Sequence, residues 1–170
     1  MTADSFTRSY LSGELKEVGF LIYTPDSALK IFGFAVEIVS PEQVSGRFRV
    51  TETCCQPFKV LHGGVSALIC EGLASMGAHV ASGFRRTSGI ELNINHLRAA
   101  PLGEYIFARA KPVISGRRVQ VWEVKLWKVS QQRYSDMEVD FSSLDEKDMV
   151  AISRLTLLCG GSVPSQNAKL

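Results

Sequence analysis

Between positions 56 and 71 the chain reads Gln56-Pro57-Phe58-Lys59-Val60-Leu61-His62-Gly63-Gly64-Val65-Ser66-Ala67-Leu68-Ile69-Cys70-Glu71, a polar loop running into a helical pattern whose first residues are glycines. The first N–H groups of a helix have no intrahelical partner, and glycine leaves them uncovered. With the positive end of the helix dipole behind them, such groups bind anions and stabilise the oxyanion that develops when an acyl carbonyl is attacked. A carboxylate able to drive that attack, Glu71, stands nine positions after His62. Gly63 and Glu71 are eight residues apart in the chain. At the rise of an α-helix this is roughly 12 Å, too far for one helix to bring both groups to one carbonyl. Two antiparallel copies of the helix across a twofold axis can do so. The spacing therefore predicts a homodimer with its site at the interface.

The helix carrying these residues is predicted over 63–81. Val65, Ile69, Leu73, Met76 and Val80 fall on one side when wound at about 100° per residue and are expected to face the core. Gly64, Ala67, Glu71, Ser75, Ala78 and Ser82 make the other side, a row of small residues interrupted by one acid and suited to close approach. Upstream, Ser27-Ala28-Leu29-Lys30-Ile31-Phe32, stopped by Gly33, reads as a short helix. The β-rich runs 34–40 and 44–51 then join at Pro41-Glu42-Gln43 as a hairpin. Downstream, runs at about 89–97, 105–113, 119–129 and 150–159 follow one another and are expected to pair as an antiparallel meander. The segment 130–148 is too polar for the core and reads as an extended hairpin loop. The order α-β-β-α-β-β-β-β asks for an α+β domain, an antiparallel sheet wrapped round a long central helix, because helix stripe and strand faces must bury one another.

The 170 residues suit one domain, expected over 25–160, with 1–24 as an N-terminal leader and 161–170 as a C-terminal tail. A net charge of +2 without any run of Lys or Arg excludes a nucleic-acid stripe. No stretch is read as reaching the apolar length of a membrane span, so a soluble protein with no membrane partner is expected. Cys54, Cys55, Cys70 and Cys159 lack C-x-x-C spacing and read as free thiols. His62, His79 and His96 are scattered, so no metal site is expected. His96 shares its strand face with Ile90, Leu92 and Ile94 and is read as a core histidine. Cys70 has no evident base, its helix angle points away from Glu71, and it is read as structural.

His62-Gly63-Gly64 with an acid nine positions after the histidine resembles the signature of the 4-hydroxybenzoyl-CoA thioesterase branch of the hotdog superfamily. The resemblance runs from about 34 to 158. It includes Ser88-Gly89-Ile90-Glu91-Leu92-Asn93-Ile94-Asn95-His96-Leu97-Arg98, Gly116-Arg117-Arg118-Val119-Gln120-Val121-Trp122 and Ser153-Arg154-Leu155-Thr156. These stretches are similar to the plant 1,4-dihydroxy-2-naphthoyl-CoA thioesterases of phylloquinone biosynthesis. What the resemblance implies is a hotdog fold and an acyl-CoA thioesterase that uses water and no cofactor. Glu71 would be nucleophile or general base, with Gln56, His62 and Gly63 around the thioester carbonyl and Ser75, one turn on, placing the water or the acid. It also implies that dimers pair into a homotetramer.

Ser115-Gly116-Arg117-Arg118 lies in a predicted turn, where free N–H groups and two guanidinium forks suit phosphates. It resembles the family's contact to the nucleotide end of CoA. Arg98, and behind it Arg85-Arg86, are further candidates on electrostatic grounds. Two other functions stay open: a thioesterase for other aromatic or fatty acyl-CoAs, and a non-catalytic acyl-CoA-binding module. The His-Gly-Gly spacing argues against a hydratase of the same fold. The ending Ala168-Lys169-Leu170 is a variant of the Ser-Lys-Leu tripeptide read by peroxisomal import receptors, so that receptor and a peroxisomal location are expected.

Overall fold

The predicted long helix is present as α2, Gly63–Ala81, and both of its ends follow from sequence. His62 caps the N-terminus with an extended backbone, its side chain accepting from the Gly64 N–H. At the other end Gly83 takes a φ of +75°. There the Gly83 N–H donates to the Val80 carbonyl and the Phe84 N–H to the His79 carbonyl, the bond pair of a Schellman stop. The computed structural model describes residues 27–135 and 144–160. The expected leader, the C-terminal tail with its tripeptide and the middle of the 130–148 segment lie outside them.

The remaining elements in chain order are α1 (Ser27–Ile31), β1 (Ala35–Val39), β2 (Val44–Arg49), β3 (Thr87–His96), β4 (Tyr105–Ser115), β5 (Val119–Val129), α3 (Gln131–Ser135) and β6 (Met149–Cys159). The strands form one six-stranded sheet in the order β1-β2-β4-β5-β6-β3, every neighbouring pair antiparallel. The expected α+β architecture is therefore present, with one correction to its wiring. Only β4, β5 and β6 form a meander. β3 does not neighbour β4; it pairs with β6 and makes the far edge, because β2 already occupies the other side of β4.

The core lies between α2 and the sheet. Ile69, Leu73, Phe48, Ile106, Trp122, Leu126, Leu155 and Leu157 are fully buried between helix and sheet. A Cβ at Gly77 would stand 2.4 Å from the Trp122 ring, so the indole needs that glycine to lie flat on the helix. The indole N–H, buried with it, donates to Gln120 Oε1 at 2.8 Å, which satisfies both polar groups. Val65, Ile69 and Leu73 face the core as expected, and Met76 and Val80 pack at its margin. Ala78, assigned to the opposite side, is buried instead, as are Gly72, Ala74 and Gly77, because the buried side of the helix extends beyond the predicted apolar stripe.

Two further expectations change. At 19 residues and a mean hydropathy of 1.3, α2 is long and apolar enough to cross a membrane, contrary to the reading that no stretch is; half of it is buried inside the domain, as in a core helix. The 130–148 segment is also more than a loop. It contributes α3 and a 3-10 turn at Glu146–Asp148. Tyr134 and Leu144 from this segment pack on Phe107, Trp127, Val129 and Met149, a second small cluster on the outer face of the sheet.

Candidate active site

The loop before α2 is pinned from both sides. His62 N–H donates to the Cys54 carbonyl and Leu61 N–H to the Ala100 carbonyl, each at 2.8 Å. Within the loop, Lys59 takes a φ of 59°, and the Gln56 N–H donates to the Val60 carbonyl at 2.9 Å. The start of the helix is thus held rigidly at the mouth of a cleft of about 400 Å³, to which Gln56, Gly63, Ser66, His96 and Arg98 contribute.

His62 and Gly63 divide the work at that helix end. The Gly64 N–H donates to His62 Nδ1 at 2.8 Å, so the neutral imidazole carries its proton on Nε2. The cap consumes the second glycine's donor, whereas the Gly63 N–H has no acceptor among the described residues. This is the group an oxyanion would use. Gln56 turns its side-chain oxygen back to the Phe58 N–H at 2.8 Å and still lines the cleft.

His96 contradicts its sequence reading. It is exposed, not buried, because β3 is an edge strand with nothing beyond it in the single chain. Its ring lies against Gly63, where an added Cβ would come within 3.1 Å of Cε1 and 3.2 Å of Nε2. Strand alternation put His96 on the helix-facing side of β3 with Leu92 and Ile94, which is correct; only the strand order reveals that this position overhangs the helix N-terminus.

Glu71 sits further along the unbroken α2, half-buried, and does not line the Gly63 cleft. Ser75 Oγ donates to Glu71 Oε1 at 2.8 Å, which orients the carboxylate. Gly89 of β3 lies beside it; a Cβ there would be 3.2 Å from Glu71 Oε1. A bulge between Gly89 and Glu91 shifts the β3–β6 register at this point, so the strand turns a glycine towards the acid. One chain therefore holds two separate groups beside its edge strand: Gly63 with His96, and Glu71 with Ser75 and Gly89.

Cys70, next to the acid, is no competitor for it. Burial pushes its thiol up to about 12, against the smaller opposing effect of its contact with Ser153. It stays protonated at neutral pH.

Ser115 ends β4, and Gly116, Arg117 and Arg118 form the turn into β5 as expected. Gly116 is required there, since a Cβ would stand 2.4 Å from the Val119 carbonyl oxygen. Arg117 and Arg118 share a cleft with Arg85 and Arg86. Arg98 is elsewhere. Its N–H donates to the Val150 carbonyl, whereas Arg118 bonds to Cys159, nine residues further along β6. At the rise of a strand that is about 30 Å. In one subunit Arg98 and the turn cannot grip the same phosphate; the Arg98 guanidinium instead donates to the Glu146 and Met149 carbonyls at 3.2 and 3.1 Å.

Comparison with known proteins bears on the family of this chain. The family model described as Thioesterase superfamily matches residues 58–135. The 1,4-dihydroxy-2-naphthoyl-CoA thioesterase 2 of Arabidopsis thaliana is 53% identical over 139 residues, 82% of this chain and 83% of that protein. The 1,4-dihydroxy-2-naphthoyl-CoA hydrolase of Listeria monocytogenes is 39% identical over 54% of this chain and 76% of its own length. Among solved structures, a thioesterase from Haemophilus influenzae superposes with a TM-score of 0.65 at 24% identity, covering 98% of this chain and 96% of that one, a likeness of fold alone. With a relative named for thioester hydrolysis at 53% identity over 82% of its length, and a long helix wrapped in one antiparallel sheet, the chain belongs to the hotdog-fold thioesterase superfamily.

Proposed function

We propose that this thioester hydrolase acts on 1,4-dihydroxy-2-naphthoyl-CoA, releasing 1,4-dihydroxy-2-naphthoate and CoA in phylloquinone biosynthesis, as a homodimer whose two sites each span the interface. The observation that carries the reading is the separation of an uncommitted Gly63 N–H from an oriented Glu71 on one unbroken helix. The 53% identity to the Arabidopsis enzyme supports the choice of acyl group. The open edge of β3 and the small, half-buried face of α2 around Ala67, Glu71 and Ser75 favour a second copy packed antiparallel. Pairing of such dimers into a tetramer, and a peroxisomal destination through Ala168-Lys169-Leu170, belong to the same proposal.

Chemically, the Gly63 N–H and the helix dipole stabilise negative charge on the carbonyl oxygen, with the His62 Nε2–H and Gln56 beside it. Two routes fit Glu71. As general base it takes a proton from water, the hydroxide adds to the carbonyl carbon, and collapse expels the CoA thiolate, which recovers that proton. As nucleophile it forms a mixed anhydride with loss of the thiolate, and water then cleaves the anhydride. Ser75 holds the carboxylate in either case. Label found in Glu71 after a single turnover in ¹⁸O-water identifies the anhydride route, because solvent oxygen enters that carboxylate when water cleaves the anhydride at the Glu71 carbonyl and never when Glu71 acts as a base.

The decisive experiment is thiol release from a panel of aromatic, fatty and phenylacetyl CoA esters, with Glu71→Gln in parallel. A strong preference for dihydroxynaphthoyl-CoA that collapses in the variant is expected. Equal rates across the panel would remove the substrate assignment, and an unaffected variant would remove the acid. No hydrolysis of any ester by the native protein would leave a binding module.

A further inference from the structure

The cleft at the end of β6 gathers more positive charge than the β4–β5 turn alone provides. It measures about 490 Å³, and Arg85, Arg86, Arg117 and Arg118 all line it, together with Ser88 and Leu158. Among the described residues no carboxylate lines it, and none of the four guanidinium groups makes an ion pair. Like charges collected without a counter-charge oppose folding and are relieved by a polyanionic ligand.

Backbone pairing makes the arrangement rigid. The Cys159 N–H donates to the Arg118 carbonyl and the Gly160 N–H to the Arg86 carbonyl, so the end of β6 is held between the two arginine segments. Two strand spacings separate them, roughly 10 Å, a gap that two arginine side chains close on a phosphate from opposite sides. Arg85 is used differently. Its Nη2 donates to the Arg117 carbonyl at 2.6 Å and its Nε to the Ser82 carbonyl at 2.8 Å, which ties the turn to the C-terminal end of α2.

We infer that the loop after α2 is a second jaw opposite the β4–β5 turn: Arg86 joins Arg117 and Arg118 as a ligand of nucleotide phosphate groups, and Arg85 is the positioning residue that fixes the turn. The inference rests on the acyl-CoA reading for the identity of its ligand, the phosphate-bearing end of CoA. It makes the enzyme selective for CoA esters over thioesters of the bare pantetheine arm.

The test uses adenosine 3′,5′-bisphosphate, which carries no thioester, in calorimetric titration of the full chain. Arg86→Ala and Arg118→Ala are each expected to weaken binding about tenfold or more, with Arg86→Lys recovering part of the loss. The preference in kcat/KM for a CoA ester over the matching pantetheine ester should fall by a similar factor in Arg86→Ala. Arg85→Ala should raise KM for the CoA ester and leave kcat near the native value. Native-like binding by Arg86→Ala beside weakened binding by Arg118→Ala overturns the second jaw. If no CoA ester is hydrolysed yet bisphosphate binding still depends on Arg86, the clamp stands and the thioesterase reading fails.

Discussion

If the two half-sites come from different subunits, two inactive variants must rescue one another. Gly63→Pro is the variant of choice on one side. The first helical position tolerates proline, whose missing N–H deletes the proposed oxyanion donor. His62 already has φ −68° and ψ 131°, the extended conformation that precedes proline. The atoms nearest an added Cβ belong to the exposed His96 ring, at 3.1 Å, which needs to give by a few tenths of an ångström. Loss of one such donor lowers kcat by about 10²–10³. Glu71→Gln supplies the other inactive partner. When the two are unfolded together in equal amounts and refolded, a site is intact only if its acid comes from a Gly63→Pro subunit and its glycine from a Glu71→Gln subunit. Random assortment makes that about one site in four, in a dimer or in a tetramer of dimers. Thiol release from the mixture should therefore reach about a quarter of the native rate, against about one per cent or less for either variant alone. A co-refolded mixture no faster than the mean of the two separate variants would refute the shared site.

Ser75→Ala removes the hydroxyl that donates to Glu71 Oε1; a lost bond of this kind is worth about 1–2 kcal/mol, so kcat should fall roughly 5- to 30-fold with little change in KM, read in the same thiol assay. Gly77→Ala forces a methyl group to 2.4 Å from the Trp122 ring and should cost about 1–3 kcal/mol of stability, seen as a lower midpoint in urea. Cys70 adds a pH dependence to stability. Its thiol is raised to about 12 in the folded chain by burial, so its contribution is complete below the unfolded thiol's value and is lost as pH rises from there towards 12. The slope is about 1.4 kcal/mol per pH unit, and Cys70→Ala should flatten that part of the curve in urea titrations at increasing pH.

Much of the site was legible in the chain because the relevant constraints are local. The 63–81 periodicity, the glycine-opened helix and the two-turn spacing to Glu71 depend on residues within one helix of each other. So does the distance that the helix sets between Gly63 and Glu71. Placement of the turn at 116–118 between two β-rich runs is equally local, and Gly116 is there because the Val119 carbonyl leaves no room for a side chain.

What only the tertiary structure decided depends on which strands pair. Nothing in the alternation of β3 says that it lies at the edge of the sheet beside β6, and that single fact exposes His96 against Gly63. A one-residue bulge, invisible in composition, gives Gly89 its position beside Glu71. Arg85 and Arg86 join the β4–β5 turn, and Arg98 does not, because β6 runs between them as a ruler and spaces their ends by its own length. By itself the sequence determined which residues carry groups fit for the proposed chemistry and how far apart one helix sets Gly63 and Glu71; long-range pairing, whose register no local pattern encodes, decided which of them meet.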